Sequence, residues 1–294
     1  MILCDDLAAP EAPLALGDGT WLVAELAQAR GTVAQVLADG TRREVVWTGR
    51  PNGLARTADG TIWCAETLTP SIVTITLDGR KETVLTHAGD TPLLWPNDLA
   101  VGPDGALYIT DSGALISDFL DGDLPKPGFM KVASDGKVIR YDPRTGETEI
   151  LDRGLGFANG IAFDAAGDLF VSETLTGAVH RYRANGGRVT GNREYFGTVL
   201  WDGWEGGDVA RGPDGMAFSA DGRLFVAVFG QGDVTILKED GSQERRIPLA
   251  GKAPTNVAFG LNGENRIYVT EDELGQLTAH DVDGEGLALH GWEE

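Results

Sequence analysis

The chain has 294 residues, with 45 acids against 24 bases and a formal charge of -21 at pH 7. That balance argues against nucleic acid and anionic membrane surfaces as partners, because a phosphate backbone requires a basic face. Two cysteines, Cys4 and Cys64, are too few for a disulfide framework or a zinc cluster. Met1 to Asp6 carries no basic stretch leading into a long apolar run, and no segment approaches membrane-spanning length, so a cytoplasmic location is expected.

In chain order, one pattern is written six times: a short apolar strand, a turn signal and a second apolar strand, which reads as a β-hairpin. The first copy runs from Pro10-Glu11-Ala12-Pro13 through Asp18-Gly19 to Leu22–Glu25. The second opens at Pro51-Asn52-Gly53, turns at Asp59-Gly60 and closes at Glu66; the third runs from Pro96-Asn97-Asp98 to Asp111. The fourth runs from Ala158-Asn159-Gly160 to Glu173, the fifth from Pro213-Asp214-Gly215 to Val228, and the sixth from Pro254-Thr255-Asn256 to Glu271. After each hairpin comes a second pair of strand-like segments, the last of them turning at Asp283-Gly284 into Leu287–His290. Six units of four short strands, without helix-length periodicity, predict an all-β fold: a six-bladed β-propeller, four antiparallel strands per blade, as a single domain over 1–294.

Laid in register, the second position of each hairpin holds Glu11, Asn52, Asn97, Asn159, Asp214 and Thr255. In a propeller the first strand lines the central channel and its partner returns to the same end. These six positions therefore gather at one channel mouth, with Glu25, Glu66, Asp111, Glu173 and Glu271 farther out on that face. Glu11, Asn97, Asn159 and Asp214 offer two carboxylates and two amide carbonyls, a hard-oxygen set suited to a divalent cation. Asn or Asp before Gly is also an ordinary turn choice, but Glu11 is a poor turn residue. Asn52 is either a further polar group touching substrate or a turn residue. Two irregular stretches on that face, Ser112–Met130 with Phe119 and Phe129, and Trp201–Gly207 with Trp204, are candidate walls or lids. The four histidines lack metal-ligand spacing, and no nucleophile elbow or Walker sequence occurs.

Glu11-Ala12-Pro13, Pro96-Asn97-Asp98, Ala158-Asn159-Gly160, Pro213-Asp214-Gly215-Met216 and Thr255–Gly260, in that order over nearly the whole chain, resemble the spaced motifs of the regucalcin (senescence marker protein)/gluconolactonase family. Thr110-Asp111-Ser112-Gly113 and the loop after it look closer to its bacterial lactonase branch. The resemblance implies one divalent metal at the channel, calcium first, with Zn2+, Mn2+, Mg2+ or Fe2+ as alternatives. Glu11, Asn159 and Asp214 would bind it, with Asn97 as ligand or substrate contact. It also implies hydrolysis of a small-molecule lactone, or of organophosphates in the diisopropyl-fluorophosphatase branch. Asp214 is the expected base or nucleophile, and Asn97, Asn52, Trp95, Phe119 and Trp204 are the expected substrate contacts. A monomer or weak homo-oligomer is expected, and a non-catalytic ligand-binding propeller is the alternative of a different class. Two departures stand out: Ala12 where sugar lactonases carry the Gly of Glu-Gly-Pro, and Trp95 where regucalcin-like members carry an arginine. The second favours a less polar ring than an aldonolactone.

Overall fold

The first five repeats each fold as one four-stranded antiparallel sheet, because glycine turns, mostly Asp-Gly, join runs of apolar residues. Gly19 and Gly60, both at φ above +80°, adopt the left-handed conformation such turns require. The computed structural model describes residues 1–201, 209–261 and 263–290. It is nearly all β and forms a six-bladed β-propeller with four antiparallel strands per blade. The innermost strands are Pro10–Ala15, Pro51–Arg56, Pro96–Val101, Ala158–Phe163, Gly212–Phe218 and Pro254–Phe259. Each contacts the next, and the sixth contacts the first, so they enclose a central channel.

An apolar cluster fills every seam between neighbouring blades. Leu14, Leu22 and Leu54 join the first blade to the second, and Trp21 meets Tyr268 at 4.2 Å across the seam between the last blade and the first. Burying both faces of every sheet explains why the second strands read as near-continuous apolar runs rather than as alternating ones.

The sixth blade departs from expectation. Its outer strand is not Leu287–His290 but Ile2–Cys4 from the other end of the chain, which pairs with Gln276–Asp281. Closing the ring with a strand from the opposite terminus ties the first and last blades together. The segment after Asp283 is thereby released, and it runs to the lower end of the channel, where Gly286 bridges Ser219. Among the described residues no helix is long and apolar enough to cross a membrane.

Removing residues 1–5 should expose the edge of Gln276–Asp281 and uncover Leu277 and Ala279, against which Cys4 packs. The expected cost is roughly 2–4 kcal/mol, from lost ladder hydrogen bonds and lost apolar burial. It should appear as a lower melting temperature with earlier light scattering. An unchanged melt would mean the sixth blade closes without this strand.

Candidate metal and substrate site

Every inner strand is irregular at the same place. Pairing with the second strand shifts between Pro51 and Leu54, Pro96 and Leu99, Ala158 and Ile161, and Pro213 and Met216, and near the same level in the other two blades. These are β-bulges, which bend a strand and re-aim its side chains. The residues at or beside them are Glu11, Asn52, Asn97, Asn159, Asp214 and Thr255. All six are at most 8% exposed, and together they form one collar at the upper end of the channel.

The collar is wired differently for amides and for acids. Asn97 Nδ2 donates to Ser112 Oγ (3.0 Å), and Ser112 Oγ donates to the Ala158 carbonyl of the next blade (3.0 Å). Asn159 Nδ2 donates to Thr174 Oγ1 (3.1 Å), which donates to the Pro213 carbonyl (2.8 Å). With each amino group engaged, the carbonyl oxygen is the end left for a cation. Each hydroxyl immediately follows the acid that closes the second strand, as Asp111-Ser112 and Glu173-Thr174, and Glu66-Thr67 repeats the pattern beside Asn52. In the two blades whose collar residue is a carboxylate, Leu26 and Phe229 stand at that place instead. Thr255 turns to the seam, where its hydroxyl donates to the Pro10 carbonyl (2.6 Å).

Below the collar lies a second set: Ala12, Gly53, Asp98, Gly160, Gly215 and Asn256. A Cβ on Gly215 would stand 2.0 Å from Asn256 Cγ, and one on Gly53 would stand 2.8 Å from Asp98 Oδ1. The glycines therefore make room for Asp98 and Asn256, which come from opposite blades, the Asn256 amide favouring the Asp98 anion. Ala12, the departure from Glu-Gly-Pro, holds a left-handed conformation (φ 46°) at a strain cost of about 1–2 kcal/mol. Its N–H favours the Glu11 anion.

The electrostatics are those of crowded acids. Burial pushes the carboxyl of Glu11 well above its ordinary value, and the charges of Asp214 and Asp98 add to the effect. Asp214 is raised in the same way by burial and by Asp98, with the Asn159 amide opposing. Burial alone lifts Asp98 to about 6, and Asp272 also reaches about 6 through burial and the charge of Glu271. Asp98 and Asp272 were not singled out from the sequence. Among the described residues no three of His, Cys, Asp and Glu gather as a metal cluster. The donor set is instead two carboxylates and oriented amide oxygens, and that set fits a hard divalent cation.

The five outer acids fasten loops. Glu66 accepts the N–H groups of Arg50 (2.9 Å) and Leu68 (2.8 Å), Asp111 accepts those of Leu94 and Gly113, and Glu271 accepts those of Ala253 and Leu274. Over the mouth folds the Ser112–Met130 stretch. Phe119 is fully buried at its base, edge-on to Trp95 (5.9 Å), Phe129 (4.7 Å) and Phe157 (4.7 Å). Its tip reaches across to other blades: Asp123 pairs with Arg50 (2.8 Å) and accepts the Gln28 N–H (3.0 Å). Trp95 is buried, with its indole N–H lacking a partner. Trp201 packs under the Arg246 guanidinium at 4.3 Å, and Trp204 lies outside the described residues.

The model of the SMP-30/gluconolactonase/LRE-like family matches residues 68–272. The chain belongs to that family. Strictosidine synthase-like 6 of Arabidopsis thaliana is 30% identical over 208 residues, which are 68% of this chain and 50% of that protein. Lactonase drp35 of Staphylococcus haemolyticus is 27% identical over 185 residues, 60% of this chain and 50% of that one. The alignments thus span about half the length of these curated relatives. A calcium-binding regucalcin from Agrobacterium tumefaciens has the same fold, with a TM-score of 0.77 at 20% identity, covering 100% of this chain and 97% of that one.

Replacing Thr174 with Val should free the Asn159 amide to turn and leave the Pro213 carbonyl without its donor. Cation affinity should fall roughly 10–100-fold, as when the group that orients a ligand is lost. A calorimetric titration checks this, and equal affinity in Thr174→Val would mean Asn159 is not oriented from behind.

Proposed function

We propose that this chain is a metal-dependent lactonase that opens a cyclic ester at the upper channel mouth. The observation that carries the reading is the collar: two buried carboxylates, left without hydroxyl partners, stand beside two amides whose amino groups are engaged. Membership in a family that includes gluconolactonases supports it. Glu11, Asn159 and Asp214 would hold the cation, calcium by preference, with Asn97 as a fourth oxygen or as a substrate contact. Bound there, a divalent cation would polarise the lactone carbonyl oxygen. Asp214 takes the proton of the attacking water, or attacks the acyl carbon itself. Glu11 and Asn159 fix its position, and Asn52 and Asn97 are the polar groups placed to touch the substrate. The Ser112–Met130 cover, pinned by Asp123 to Arg50, keeps water from the reaction space. Trp95, standing where regucalcin-like members carry an arginine, favours an apolar ring. In this proposal the protein works in the cytoplasm, as a monomer or weak homo-oligomer.

Glu11→Gln and Asp214→Asn should each abolish most hydrolysis and remove the rise in melting temperature produced by calcium. Full activity and full calcium stabilisation in both variants would refute the assignment. An aliphatic or aromatic lactone should show higher kcat/KM than gluconolactone in a panel that also contains a phosphofluoridate. A wide preference for gluconolactone would defeat the apolar reading, and turnover of the phosphofluoridate alone would move the enzyme to organophosphate hydrolysis.

The pH dependence follows from the raised carboxyls. A carboxyl whose folded pKa is raised stabilises the fold fully below its unfolded value of about 4, and loses that contribution as pH rises through the folded value. For Asp98 that window ends at about 6. Calcium, which needs the anions, should therefore stabilise the protein more at pH 8 than at pH 5. For the same reason, added calcium should move the acid limb of the activity profile to lower pH. A limb that stays fixed as calcium is varied would show that the cation does not hold Asp214 ionised.

A further inference from the structure

One position of the repeat never varies. Ala15, Ala55, Ala100, Ala162, Ala217 and Ala258 stand at a single level of the channel, below the collar. Each pairs across its hairpin with an aromatic residue: Trp21, Trp63, Tyr108, Phe170, Phe225 and Tyr268. The aromatics fill the seams between blades, while the six methyl groups leave the channel open. All six alanines border one cavity of about 820 Å3, within the size range of small-molecule sites.

This chamber is separate from the carboxylate collar. Its roof is the Asp98–Asn256 pair, and its walls are apolar, including Leu54, Leu99, Ile161, Met216 and Val257. The released C-terminal segment crosses its lower end. The Ala220 N–H donates to the Glu285 carbonyl (2.9 Å), and the Leu287 N–H donates to the Phe218 carbonyl (2.9 Å). That strap brings His290 to the chamber wall, edge-on to Phe163 at 5.9 Å. His290 Nε2 is buried without a hydrogen-bond partner, the one such side-chain atom on this wall among the described residues. A buried ring nitrogen is costly to leave unpaired, so a cavity presenting one favours an occupant that supplies the missing bond.

We infer that the lower chamber is a second binding site, for a neutral, largely apolar small molecule whose single hydroxyl or N–H group bonds to His290 Nε2. Asp98 at the roof and Glu285 at the rim outnumber Arg56, the one Arg or Lys on the lining among the described residues, so the chamber does not favour an anionic ligand. Burial holds the His290 imidazole below its ordinary pKa and therefore neutral, which suits a neutral partner. The site does not depend on the lactonase reading, and its occupant enters from the face opposite the collar.

The test is a fluorescence titration of the full chain with N-phenyl-1-naphthylamine, an apolar probe with one N–H. Saturable binding of one equivalent is expected, unchanged by chelator and unchanged in Glu11→Gln. Affinity should fall at least tenfold when the chamber is filled in the Ala162→Leu/Ala258→Leu double variant, and several-fold in His290→Ala. Thermal melts establish that each variant is folded; if the double variant is not, the single Ala162→Met and His290→Ala carry the test. Absence of saturable binding, or equal affinity in the folded variants, overturns the proposal. Loss of binding in Glu11→Gln would place the probe at the collar and also overturn it. Binding that appears only after removal of residues 291–294 overturns it as well, since the chain's own end would then be the occupant.

Discussion

Two carboxylates held out of water at the narrow end of a channel are the constraint on which the rest of this structure depends. Glu11 and Asp214 are surrounded by further acids, and the charges of Asp98 and Asp272 disfavour ionisation of both. Burying one unpaired carboxylate costs several kcal/mol, and two facing each other cost more. A fold can meet that cost by letting the groups keep protons or by binding a cation. The hydroxyls behind Asn97 and Asn159 favour the cation, because they hold two neutral oxygens ready beside the anions.

The propeller is suited to this task because six equivalent bulges meet on one axis while their blades are locked by apolar seams. Each blade contributes one collar side chain, so charge and polarity are set one residue at a time without disturbing the packing outside. The same repetition fixes the second set, where glycines in three blades admit Asp98 and Asn256 from the others. Gly160 shows how tight this neck is: a Cβ there would stand 2.2 Å from the Asp214 carbonyl oxygen. The acid that ends five of the six second strands does a different job, tying down the loop that leads into its own inner strand. Loop and collar are therefore set by neighbouring residues of one hairpin.

Much of this was legible in the sequence, because the repeat itself supplies an internal alignment. The blade count, the collar residues and their common face follow from register alone. Asp98 was missed because its position is glycine in three copies and reads as turn chemistry; only the bulge turns it into the channel. The hydroxyls of Ser112 and Thr174 follow acids that drew the eye first, and their bonds reach into the next blade, beyond what one hairpin shows. The sixth blade was misread because strand pattern cannot distinguish Leu287–His290 from Ile2–Cys4 as the closing strand, a choice made by ring closure between distant ends. Phe119 was expected as a wall of the substrate space, but its ring packs into an aromatic cluster at the base of the cover.

The central claim is that a cation replaces protons on the buried collar acids. It is tested most directly by calorimetric titration of calcium into chelator-treated protein at pH 7, in two buffers of different ionisation enthalpy. The difference between the two heats counts the protons displaced. The expected result is one site per chain with release of about one proton or more for each cation bound. Binding without proton release, or no binding at millimolar calcium, would contradict the account of what holds Glu11 and Asp214 at the channel neck.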